Sequence, residues 1–358
     1  MIPSIIETPG DAALLNLTSP SFHMRYPELS HRELIADDVL HAMEASWNVH
    51  SFPERPITLS LLKNVYVVEE GLVFDGAGNL YDGSITQHSP PEIDRGYAAV
   101  QAAIRSDDVH VVRDRAVLCK KRGAYNYGHW LIEMLPKAYL AKLYLGQDPL
   151  CYLVPSAESP LRQVISDSLS MLNIDASSVI SLGQEPVHVD SLLLVEGLSH
   201  HGVFMSPLIM NCMDGLSARV PGRGIAKLFV TRAGTNVRRF VNEDEVAAKA
   251  QECGYTVIDP GSMSLADQIG AFKNAREIAG VMGAAMTNIA FAPRDACIVD
   301  LAPAAMPDTF FWFIAGLRGQ SYREIRCEQT GPLRGVAPWD TDLVFSRDDL
   351  SHVFRGGG

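Results

Sequence analysis

The feature that most constrains this chain is a regular alternation over residues 227–328. Short runs rich in β-branched and apolar residues read as strands at 227–232, 255–260, 277–283, 297–303 and 321–328. Between them, 242–254, 264–275, 284–291 and 308–319 read as helices. The first of these carries Asn242 at its N-cap position, Glu243 and Glu245 in an acidic first turn and Gly254 at its end, and Ser264 caps the next. Strands fed by helices form a parallel sheet covered on both faces, a Rossmann-like unit. In such a sheet ligands sit beyond the carboxyl ends of the strands, at a topological switch point.

The upstream half has the same texture less cleanly. Strands are expected at A-V-L-C-K (116–120), 151–155, 178–182 and 187–197, with helices over 129–144, 159–173 and 207–220. Before them, 56–86 alternates β-branched and polar residues around Glu70-Gly71 and Asp75–Asn79, a β-meander pattern. Residues 1–55 read as a loosely packed arm, and Pro221–Gly224 as a linker. The expected division is 1–221 (an α/β domain with the meander), 222–335 (a Rossmann-like domain) and 336–358 (a tail packing back), with a ligand cleft between the two α/β lobes.

The 358 residues are 47% hydrophobic, enough for sizeable cores. A net charge of −12 argues against a nucleic-acid binder, which carries a basic face. Six cysteines stand singly with no C-x-x-C, so neither a zinc site nor a disulfide framework is indicated. The N-terminus lacks a basic signal-peptide region, and no apolar run reaches the roughly 20 residues of a membrane span. The chain therefore reads as cytoplasmic, with peripheral contact at the inner face of the cell membrane left open.

Chemistry-bearing residues gather in a few places. T-R-A-G-T-N-V-R-R puts Arg232, Arg238 and Arg239 at the carboxyl end of a strand, and arginine is well shaped for bidentate phosphate contacts. Gly280 and Gly283 bracket another strand end where a helix begins, which is either an anion-binding turn or close packing. Neither G-x-G-x-x-G nor a P-loop is present, which disfavours a dinucleotide dehydrogenase or a P-loop kinase. Asp340-Thr341-Asp342 is a D-x-D triplet in a loop-like context and a weak metal candidate. His129 and Glu133, four apart at a helix start, share a face. They are too few for a metal but suit a base and the carboxylate that orients it, or a plain polar pair.

G-H-W-L-I-E-M-L-P-K (128–137), T-R-A-G-T-N-V-R-R-F-V-N-E-D-E (231–245) and the block 267–293 together resemble glycosyltransferase family 61. The resemblance covers about 115–303. It implies a GT-B-like pair of Rossmann-like lobes, a nucleotide-sugar donor (a UDP-sugar expected), an inverting transfer to a glycan or lipid-linked glycan, and no essential metal or other cofactor. It makes 1–221 the acceptor side and 222–335 the donor side. The short chain without an anchor suggests a bacterial capsule or exopolysaccharide member. The implied roles are His129 as base with Glu133 orienting it, or Glu133 itself as base. Arg232, Arg238, Arg239, Asn242 and Glu243 would hold the donor, with Gly283, Ala284 and Asn288 lining its pocket. Asn126, Tyr127 and Trp130 fall on the acceptor side, although Trp130 also reads as core. The family often has histidine where this chain has Met282, which opens the alternative of a non-catalytic sugar-nucleotide or glycan-binding relative.

Overall fold

The computed structural model describes residues 3–106, 108–232 and 234–354. The protein is mixed α/β and divides into two compact units, Met1–Pro20 with Glu54–Cys212, and Ser21–Pro53 with Met213–Gly358.

The first unit is built on a nine-stranded mixed sheet. Its parallel part runs in the order Val187–Glu196, His110–Leu118, Cys151–Pro155, Val179–Leu182. The long strand Arg55–Val68 joins antiparallel to Val187–Glu196 and continues through Leu72–Phe74 and Leu80–Tyr81 as the expected meander. Leu62, Val65, Val67, Leu118, Leu153, Val189 and Leu192 form its core. A helix that the sequence pattern did not suggest, Pro90–Ser106, lays Val100 on Val68, Leu72 and Phe74.

The second unit carries the regular alternation. Its parallel order is Thr256–Ile258, Lys227–Val230, Glu277–Val281, Cys297–Pro303, Ser321–Thr330. These strands are covered on both faces, so they appear in the sequence as near-continuous apolar runs. Phe310–Arg318 is apolar around most of its circumference because it is buried almost throughout. The short helix expected over 284–291 is present as a 3-10 helix.

The division differs from the sequence expectation in three places. The stretch 1–55 is not a loose arm: Ala13–Ser19 pairs with Arg55–Val68 in the first unit, while Asp37–Trp47 is a helix of the second. Trp47 is fully buried, Glu28–Ser30 pairs with Ser321–Thr330, and the Trp312 indole N–H donates to the Arg25 carbonyl at 2.8 Å. The tail beyond 336 is likewise part of the second unit, with Leu343, Phe345 and Phe354 in its core. Helix Leu208–Ser217 spans the division, which falls before the glycine-proline run rather than on it.

Candidate active site

In the first unit, chemistry gathers just beyond the C-terminal ends of two adjacent parallel strands, His110–Leu118 and Val187–Glu196. After the first, Gly123 (φ +86°) turns the backbone beneath the His129 ring, where a Cβ would lie 2.7 Å from the imidazole. Only glycine combines that left-handed φ with so close an approach. Asn126 then caps the helix, its side-chain oxygen accepting from Gly128 N–H at 2.8 Å and His129 N–H at 3.4 Å. From Trp130 to Met134 the helix widens into a π-turn before regular α-helix resumes at Leu135–Leu145. Such turns recur at functional sites.

Glu133 lies on this turn and is 1% exposed. His129 Nδ1 donates to its Oε2. Lys121 Nζ lies 2.8 Å from the same oxygen, and His201 Nδ1 lies 3.6 Å from Oε1. Burial pushes the Glu133 carboxyl up, but the hydrogen bond from His129, the adjacent His201 imidazole and the Lys121 charge outweigh it and hold the group well below the usual carboxylate range. The carboxylate is thus ionised and buried. The two imidazole rings lie 4.9 Å apart. Behind them Lys137 is buried, and burial, with the neighbouring Lys121 charge, lowers its ammonium to about 8.

His129, Glu133 and His201 offer three donor atoms within 4.8 Å of one another, a set a divalent ion could take. His201 is the third donor that spacing alone could not supply. Lys121 already occupies the carboxylate, however, and an ion there would have to displace its ammonium. The sequence carries two signals for these partners: the Lys120-Lys121-Arg122 run after an apolar strand, and the His200-His201 pair after the next one. Neither declares its target, because the contacts close over long stretches of chain.

The second unit has its own switch point. Thr256–Ile258 lies on one side of Lys227–Val230 and Glu277–Val281 on the other, so the chain reverses direction across the sheet there. Arg232, Arg238 and Gly283 all follow the carboxyl ends of these two central strands. Arg232 is buried, and burial, with the Arg238 charge added, lowers its guanidinium to about 10. Burial lowers Arg238 as well. Arg238 Nη1 donates to the Met282 carbonyl at 3.3 Å, and its backbone takes φ +55°. Among the described residues the Nε–H groups of both arginines have no hydrogen-bond partner. Gly283 packs directly against Arg232, and a Cβ there would overlap the guanidinium. The need at this position is space, since its φ of 168° is ordinary extended backbone.

The remaining residues sort differently. Glu243 accepts from Thr231 Oγ1 and, at 2.8 Å, from the Arg232 N–H, so it fixes the loop from beneath. Arg239 is tied to Asp342 at 3.1 Å, as is Arg334 at 2.6 Å, and these two partners lower Asp342 to about 2. Asp340 accepts from the Val336 and Ala337 N–H groups. Both carboxylates of the D-x-D are thereby committed to the fold. Asn242 makes no side-chain cap. Its amide donates to Phe345 O at 2.9 Å and its oxygen accepts from Phe345 N–H, so it pins the C-terminal segment. Asn288 is buried and donates to Gln268 Oε1 at 2.8 Å and Ala285 O at 3.0 Å, packing two helices together. Trp130 is fully buried and donates to Ser168 Oγ at 2.9 Å, so it is core and presents no face to an acceptor. Tyr127 is half-buried, as is Ala284.

Among the described residues no helix is long and apolar enough to cross a membrane. Residues 127–299, slightly less than half of the chain, match the family model described as Glycosyltransferase 61. Over 136 residues the chain is 32% identical to a rice (Oryza sativa subsp. japonica) protein described as a beta-1,2-xylosyltransferase. That match covers 38% of this chain and 23% of the rice protein, so the chain aligns with about a quarter of the relative's length. Glu133, both of its histidine partners, Arg232 and Arg238 all lie within the residues that match the Glycosyltransferase 61 model.

Proposed function

We propose that the protein is an inverting, GT-B-type glycosyltransferase that moves a sugar from a nucleotide-sugar donor to a hydroxyl of a glycan. The observation that carries this is the buried Glu133 with the imidazoles of His129 and His201 beside it, all within the residues that match the Glycosyltransferase 61 model, and with Lys121 on the same carboxylate. An acceptor hydroxyl must lose its proton as it attacks the anomeric carbon, and an imidazole backed by a carboxylate is suited to take it. The transition state is oxocarbenium-like, and the departing nucleotide diphosphate gathers negative charge. Arg232 and Arg238, whose charges burial disfavours, would be relieved by that anion and would stabilise it as it leaves. This chemistry runs without a metal. A xylose donor is the first to try, because the rice relative is described as a xylosyltransferase. A bacterial surface polysaccharide as product and UDP as the donor nucleotide are part of the proposal, and the donor panel decides the nucleotide.

The test is turnover, with thermal stability read in parallel, against UDP-, GDP-, CMP- and ADP-type sugars with and without magnesium. A stabilisation of about 2.7 kcal/mol at 100 times the Kd, unchanged by chelator, is the expected result for one site. Binding without transfer would favour the second reading, a non-catalytic relative. That reading is motivated by Met282, which is buried and apolar where a hydrogen-bonding histidine was expected. Met282→His would then be the variant to assay for restored transfer.

A further inference from the structure

Beside the Glu133 cluster lies a cavity of about 390 Å³, contained within the first unit. Its size is within the roughly 300–1,000 Å³ typical of small-molecule sites. Lys121 and His201 line it; His129 does not. The rest of the wall mixes donors and acceptors, among them Asp82, Thr86 and Ser199. Positive and negative groups both face it, so no single ionic ligand is favoured. A polyhydroxyl ligand fits better, since each hydroxyl donates once and accepts twice.

His201 turns Nδ1 toward Glu133 Oε1. A carboxylate facing Nδ1 selects the tautomer with hydrogen there, which puts the lone pair on Nε2, at the other edge of the ring. Two imidazoles share one carboxylate, but only one of them is on the cavity wall.

Resting on the glycosyltransferase reading above, we propose that this cavity seats a pyranose unit of the acceptor and that His201, rather than His129, is the base that touches its hydroxyl. As the acceptor oxygen bonds to the anomeric carbon, its proton passes to His201 Nε2. The bond from that carbon to the diphosphate oxygen breaks, and its electron pair leaves with the nucleotide diphosphate. Glu133 stabilises the imidazolium, which returns its proton to water. His129 is then a positioning residue that holds Glu133 in place.

Two measurements test this. His201→Gln and His129→Gln are compared for transfer and for the thermal shift given by the nucleotide diphosphate alone. His201→Gln should lower kcat at least about a hundredfold while the shift persists, and His129→Gln should cost less. Near-normal transfer by His201→Gln, or the larger loss in His129→Gln, overturns the assignment. If the wild type neither shifts with any nucleotide nor transfers, the glycosyltransferase reading fails instead. The cavity is tested independently by NMR of imidazole-labelled protein titrated with methyl pyranosides. Millimolar sugar should move the His201 and His200 signals, and Ser199→Tyr, which fills the cavity while leaving His201 in place, should abolish the movement. No movement, or movement with the nucleotide sugar but not the methyl glycoside, overturns the acceptor assignment.

Discussion

The two units each place functional groups beyond their central parallel strands, but they balance charge in opposite ways. In the first, one buried carboxylate is surrounded by Lys121, His129 and His201, and its charge is met from within. In the second, the half-buried Arg238 lies close enough for its charge to disfavour that of the buried Arg232, and neither Nε–H has a partner among the described residues. On the proposed function, the carboxylate that orients the base must be ionised before the substrate arrives. An anion site must keep its donors uncommitted until then. Burial alone would raise a carboxyl and lower a guanidinium in both places; the neighbours decide which site is closed and which stays open.

The comparison breaks most sharply at Glu133. Glu133→Gln leaves Lys121 as an uncompensated buried cation, which costs about 3–5 kcal/mol when one partner of such a pair is lost. Transfer should fall at least about a hundredfold in protein that still folds. Denaturant unfolding and turnover, measured together, separate the two effects. Stability within error of the wild type would mean that the cluster is not the closed one described.

The open site predicts a smaller, selective loss. Arg232→Gln or Arg238→Gln should weaken binding of the nucleotide diphosphate by about 1.5–3 kcal/mol without destabilising the free protein. Arg239→Gln, whose partner is Asp342, should leave that affinity nearly unchanged. Calorimetric titration of the three variants would sharpen the sorting of arginines that the sequence presents as equals. Gly283→Ala should act through Arg232: combined with Arg232→Gln it should add little to the affinity already lost, the non-additivity of residues in contact.

The smallest effect is a pH slope. Asp300 and Glu324 face each other as register partners on neighbouring strands, and Arg326 contacts Glu324. Burial raises Glu324 to about 7 despite that arginine, and burial together with Glu324 raises Asp300 well above the carboxylate range. A raised carboxyl binds its proton more tightly in the folded state. Its stabilising contribution is therefore full below the ordinary carboxylate pKa and is lost as pH rises through about 7. Glu133 has the opposite sign: its contribution is full above the ordinary value and is lost as acid titrates the folded protein. Stability scans from pH 5 to 8 should show a decline that Glu324→Gln flattens and Glu133→Gln does not.

The sequence revealed much of the second unit, because strands buried on both faces are continuous apolar words and helices announce themselves at Ser264 and at the acidic turn after Asn242. Strand 297–303 matches residue for residue. It revealed His129 with Glu133 as well, because a helical spacing of four is visible in one dimension. Lys121 and His201 were hidden because nothing local marks a contact that only the sheet creates. Asn242 and Arg239 were assigned to the donor by position, yet their side chains hold the C-terminal segment, a partnership invisible until that segment folds back.

The interleaving of the two units also bears on how the chain can be made. The second unit draws on Ser21–Pro53, which leaves the ribosome before any of the first unit's later strands. Glu28–Ser30 finds its pairing partner only when Ser321–Thr330 has been synthesised. Throughout elongation this early segment, with Trp47 and its apolar face, must wait for its partners while the first unit's strands are synthesised. A gene split at residue 221 would yield a C-terminal product lacking the Glu28–Ser30 strand of its sheet. Fragment complementation or circular permutation would therefore succeed only with cuts that keep residues 21–53 available to the late strands.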